Sequence, residues 1–161
     1  MKNGILILLL TLTAKLSFAC QCPLSSLNDK ELLKYEVIFK GKIRSITLNK
    51  ENSQAVFIVS ELYKGMLADD FTILFNDTDP CKLELRVGDE WLIYSNYYQI
   101  DNAKLDFCSR SRKYIRNIKE DYFAETTGIS YDEETRFLTE HLGLHKLMRT
   151  GTSFLIKPSL W

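Results

Sequence analysis

Five stretches of this chain carry the apolar patterning of β-strands, and after them the period changes. Val37 to Ile43 starts apolar and then alternates, with Gly41 expected at a bulge. Ala55 to Leu62 is β-branched and aromatic and ends at Tyr63-Lys64-Gly65. Phe71 to Phe75 is closed by the turn-rich Asn76-Asp77-Thr78-Asp79-Pro80. Gly88-Asp89 leads into Trp91-Leu92-Ile93-Tyr94, the most apolar run and the strand expected to be most buried. Lys104 to Cys108 alternates cleanly and ends the series. Five strands with no intervening helix predict a mainly β fold, a small OB-fold-like antiparallel barrel.

The flanks read as helix. Ser26 to Tyr35, polar with scattered Leu, suits a short lead-in helix. From Arg110 onward, Tyr114, Ile115, Ile118, Tyr122 and Phe123 recur at helical spacing, with Arg112, Lys113, Arg116 and Lys119 between them. Those basic residues are expected to form one solvated face, given the nearby Glu120 and Asp121. Ser130-Tyr131-Asp132-Glu133 has the form of a capping box and should open a second helix through Phe137, Leu138, His141 and Leu142. His141 and His145 would share a face if that helix continued, but Gly143 lies between them. The expected organisation is a barrel over residues 20–113 and a C-terminal α-helical extension over 114–161.

The first 19 residues change the picture. Lys2, the apolar run Ile5 to Leu12 and the small-x-small site Ser17-Phe18-Ala19 have the layout of a secretory signal peptide cut after Ala19. The predicted location is therefore secreted or periplasmic, with Cys20 as the first residue of the mature chain. Beyond Lys2 and Lys15 the chain carries 19 basic against 21 acidic residues, a balance that argues against nucleic-acid binding. No later apolar run approaches the roughly 20 residues that span a membrane. Catalytic motifs are missing: the sequence has no Gly-x-Ser-x-Gly, no phosphate-cradling glycine loop and no His-Glu-x-x-His. The expectation is a protein that is not an enzyme and uses no cofactor.

All four cysteines, Cys20, Cys22, Cys81 and Cys108, follow the cleavage site, and export would place them in an oxidising compartment. A bridge between Cys20 and Cys22 would be strained. The two other connectivities both tie the N-terminal pair to Cys81 and Cys108, so either one staples the arm to the middle of the domain at two points. A lipid on Cys20 competes with this reading, since Ala19-Cys20 fits a lipobox although Phe18 is bulky. A thioether there would strand one other cysteine.

The mature N-terminal Cys20-Gln21-Cys22, the five-stranded barrel, Tyr63-Lys64-Gly65 after the second strand and Cys108-Ser109-Arg110 closing the last one resemble the netrin-type module. They are most similar to the N-terminal domain of tissue inhibitors of metalloproteinases. The resemblance covers about residues 20–113 and implies the pairs Cys20–Cys81 and Cys22–Cys108. It also implies that the amine and carbonyl of Cys20 chelate the catalytic zinc of a target protease, while Gln21 enters that protease's pocket. The chain itself would hold no metal. This sequence lacks the third disulfide and the cysteine-rich subdomain of the animal inhibitors and adds a helical tail, as a distant, bacterial relative would. The alternative expectation is a non-enzymatic periplasmic or surface interaction module, lipid-anchored at Cys20 or free.

Overall fold

The computed structural model describes residues 22, 24–49, 52–78 and 81–146. Residues 1–19, where the sequence suggests a signal peptide, and the expected site residues Cys20 and Gln21 lie outside the described residues. A one-turn helix α1 (Asp29–Leu32) leads into strands β1 (Val37–Thr47), β2 (Ser53–Lys64), β3 (Asp70–Phe75), β4 (Glu90–Gln99) and β5 (Asn102–Lys104). After β5 come a short strand β6 (Arg112–Lys113), a 3-10 turn (Ile118–Glu120), helices α2 (Tyr122–Thr127) and α3 (Tyr131–Leu142), and a last short strand β7 (His145–Lys146).

The strands neighbour one another in the order β1, β2, β3, β5, β4, and β4 returns to β1 to close an OB-fold-like barrel. The β1–β2, β2–β3, β4–β5 and β1–β4 pairs are antiparallel, whereas β3–β5 is parallel. The all-antiparallel barrel expected from the sequence is thus corrected to a mixed one. Closure around an odd number of strands makes this unavoidable, because alternating directions cannot return to the start without one like-directed pair. β1 shifts register beside Gly41, where a Cβ would lie 2.9 Å from the Ile58 carbonyl oxygen. Only glycine lets β1 bend there without displacing β2.

Alternation along the strands fills two cores. Inside the barrel lie Phe39, Phe57 and Phe71, which meet edge to face with ring centroids 5.6 and 5.9 Å apart, together with Ile73, Trp91 and Ile93. The opposite face of β1 and β4 presents Ile38, Leu92 and Tyr94, and these are covered by Leu32, Tyr35, Tyr131 and Leu138. That second layer explains why Trp91-Leu92-Ile93-Tyr94 is apolar throughout: one set fills the barrel and the other receives α3. Ser130 caps α3 by accepting from the Glu133 amide, and Glu133 accepts in return from the Ser130 amide, the box expected from the sequence. α3 ends at Gly143. No helix among the described residues is long and apolar enough to cross a membrane.

Two segments depart from expectation. Residues 105–111 do not continue β5. Asp106 instead accepts from the Cys108 amide through its side chain (2.7 Å) and from the Ser109 amide through its carbonyl (3.0 Å), turning the chain inward. The helix expected from Arg110 to Phe123 is also replaced. Arg112 and Lys113 pair with Leu92 and Trp91 of β4, and the Tyr114 amide donates to the Glu90 carbonyl (2.8 Å). An open edge of β4 takes up backbone groups that a helix would have paired internally, and helix begins only where Asp121 caps α2.

Candidate functional site

Sequence reasoning centred the site on the N-terminal arm, and the described part of that arm is fastened twice. Cys22 is joined to Cys108 by a disulfide with Cα atoms 5.2 Å apart, closing 86 residues of chain. Three residues on, the Ser25 carbonyl accepts a 2.7 Å hydrogen bond from Nη1 of Arg110. Cys81 is also in a disulfide, and its expected partner, Cys20, lies outside the described residues. Cys22, Cys108 and Arg110 therefore meet where the arm runs onto the barrel.

Arg110 is 0% exposed and is the largest fully buried side chain described. Its Nε donates to Oε1 of Glu134 (2.6 Å), and its own amide donates to the Tyr35 hydroxyl (3.1 Å). Glu134, equally buried on α3, accepts also from the Tyr94 hydroxyl (2.8 Å) and from Nη1 of Arg112 (3.0 Å). The remaining edge of Arg112 pairs with Asp121, and its Nη1 reaches the Ile129 carbonyl (2.9 Å). Two guanidinium groups thus face two carboxylates, so the cluster is close to neutral. The Phe123 ring lies under Arg112, its centroid 4.3 Å from the guanidinium carbon.

The surroundings fix the protonation of the phenols. Burial, and then the Glu134 carboxylate, push the Tyr94 hydroxyl well above its ordinary range. Burial likewise raises Tyr35, against the Arg110 amide that donates to it. Both hydroxyls remain protonated donors, and Tyr35 passes its hydrogen to Oε1 of Glu31 (3.3 Å). Beside β4, Ser111 of the segment after β5 stands in for a strand partner: its hydroxyl accepts from the Tyr94 amide (2.8 Å) and donates to the Tyr94 carbonyl (3.0 Å). The chain from Cys108 to Arg112 is therefore pinned at each residue that points inward. A cleft of about 840 Å³ runs beside it, lined by Cys22, Leu24, Phe107, Phe123 and the exposed Tyr122 among others.

The basic residues expected on one solvated face are split by this arrangement. Arg110 and Arg112 are internal, Lys113 pairs with Asp89 (2.8 Å), and Arg116 and Lys119 remain outside. The single solvated basic face expected from the sequence is accordingly not assembled. His141 and His145 do not share a helix face, since α3 ends between them; His141 stacks on Phe137 with ring centroids 3.7 Å apart. Among the described residues no group of three or more His, Cys, Asp or Glu side chains is placed to hold a metal ion.

Sequence reasoning missed Arg110, Arg112 and Glu134 as parts of the site. The available signal was the spacing of Ser109, Arg110, Ser111 and Arg112 directly after Cys108: the two arginines are two apart, a strand period and not a helical one. Comparison with protein-family models returns no match, and comparison with curated proteins returns no significant match either.

Proposed function

We propose that the protein is an exported, non-enzymatic inhibitor of a zinc metalloprotease, acting through the α-amine and carbonyl of Cys20 and through Gln21. The observation that carries this reading is the double fastening directly behind those residues, at the Cys22–Cys108 bridge and at the Ser25 carbonyl held by Arg110. A five-membered N,O chelate on a rigid arm loses little freedom on binding, so more of its interaction energy appears as affinity. Bound to zinc, it would displace the water that the metal activates for hydrolysis. The amine has an unperturbed pKa near 8, so zinc competes with the proton effectively at neutral pH. With Cys81 oxidised, Cys20 is the remaining cysteine of the four, which supports a Cys20–Cys81 bridge and weighs against a thioether lipid on Cys20.

The reading is tested on a panel of zinc metalloproteases with protein beginning at Cys20 and with the same protein extended by one N-terminal Ala. The expected outcome is inhibition by the first and at least a hundredfold weaker inhibition by the second. Equal potency of the two would show that the amine is not the ligand. A second reading, a binding module that uses the barrel for another partner, draws support from Tyr98 and Ile100. Tyr98 near the end of β4 and Ile100 just after it are 61% and 99% exposed, an apolar pair open to a partner. On that reading the added Ala changes nothing.

A further inference from the structure

We infer that Arg110 is the positioning residue of the N-terminal arm and that Glu134 holds Arg110 in place, which makes α3 part of the functional site. The inference rests on the inhibitor reading for its consequence, but not for its geometry. One guanidinium edge donates through Nε to Glu134 (2.6 Å), and another donor, Nη1, reaches the Ser25 carbonyl (2.7 Å). The planar group cannot turn toward one acceptor without leaving the other, so the position of Glu134 sets where the arm lies. Glu134 is set in turn by the Tyr94 hydroxyl on the barrel and by Arg112, which Asp121 and the Ile129 carbonyl hold from the other side.

The consequence concerns the C-terminal helices, which the resemblance to metalloprotease inhibitors leaves without a role. The Cys22–Cys108 bridge fixes one described point of the arm on the barrel. Ser25, three residues later, supplies a second fixed point, and two points define a direction. Helix α3 thereby orients residues that precede it by more than a hundred positions in sequence. The disulfides provide the tether and the Arg110–Glu134 pair provides the aim.

The test measures backbone 15N order parameters at Leu24, Ser25 and Ser26 in the oxidised full-length protein, alongside inhibition of the zinc protease panel. Arg110→Lys keeps the charge opposite Glu134 but cannot donate in two fixed directions. Glu134→Gln keeps the shape and removes the charge. Phe57→Leu, in the barrel core, serves as the control for lost stability alone. The inference expects order parameters near 0.85 in the parent and below about 0.6 in both site variants, with little change in Phe57→Leu at matched stability. It also expects inhibition to weaken at least tenfold in Arg110→Lys. Unchanged order parameters in both site variants, or an equal drop in Phe57→Leu, would overturn it. If the parent inhibits no protease while Arg110→Lys loosens the arm, the positioning role stands and the inhibitor reading falls. If the parent inhibits and Arg110→Lys is equally ordered and equally potent, the reverse holds.

Discussion

A buried guanidinium is expensive to desolvate, and Arg110 is tolerated because its charge is paired and its Nε and Nη1 find acceptors, although Nη2 has no hydrogen-bond partner among the described residues. Glu134 neutralises it, Ser25 accepts from it, and the Tyr35 hydroxyl accepts from its amide. Removing one partner of such a pair typically costs about 3–5 kcal/mol, whereas replacing it by the conservative Lys costs less because the charge balance survives. Gly65 illustrates a different constraint. It sits at φ +92°, and a Cβ there would lie 2.6 Å from the Tyr97 hydroxyl and 2.8 Å from the Glu36 carbonyl oxygen. That hydroxyl accepts from the Met66 amide (2.7 Å) and donates to its carbonyl (2.9 Å), so it cannot retreat freely. Gly65→Ala should therefore lower stability by about 2 kcal/mol or more, read as a shift in the denaturant midpoint.

Glu133 gives a residue-level prediction in pH. The Ser130 amide and hydroxyl that it accepts from hold its carboxyl below the ordinary value of 4.5. A depressed carboxylate contributes stability that is fully present above its unfolded pKa and is lost as pH falls through the folded one. Thermal melts between pH 6 and pH 3 should thus show a smaller acid-induced loss in Glu133→Gln, which keeps the capping geometry but does not titrate. An identical loss in the two proteins would remove Glu133 from the acid response.

At the scale of elements, α3 matters for what it covers as much as for what it holds. Leu138 is fully buried between the helix and the outer face of β1 and β4, so Leu138→Ala should cost about 3 kcal/mol by leaving a cavity. Circular dichroism melts should register this as a drop of several degrees. The Cys22–Cys108 bridge closes 86 residues, and replacing both cysteines by Ser should cost about 2–5 kcal/mol and weaken any inhibition by freeing the arm.

Elements were also legible to different degrees. The strands were readable because their alternation is a direct image of two packed faces, and α3 was readable because its capping box is local chemistry. The segment after Cys108 was not. Tyr114, Ile115 and Ile118 carry a helical period, but the open edge of β4 offered hydrogen bonds that outweighed it. The apparent continuation of β5 ended for an equally local reason, the side chain of Asp106 competing for the next amide. Arg110 and Arg112 read as solvated because charged side chains are rarely buried unless paired. Their partners, Glu134 and Asp121, are 24 and 9 residues away in sequence.

The whole molecule is a closed barrel whose interior is filled by its own strands, whose outer core is completed by helices, and whose N-terminal arm is held at Cys22 and at Ser25. The barrel supplies Cys108 and Tyr94, the C-terminal helices supply Glu134 and Asp121, and the arm is fixed where their contributions meet. Function on this account belongs to the junction and not to any single element. The central claim is a free α-amine on Cys20 at the head of a doubly bridged arm. It is tested most directly by the intact mass of the protein exported by its native host, measured before and after reduction. The account predicts a mass that begins at Cys20 and rises by about four hydrogens on reduction, as two bridges require. A mass that retains residues 1–19, or that carries a diacylglycerol and an acyl chain on Cys20, would contradict it.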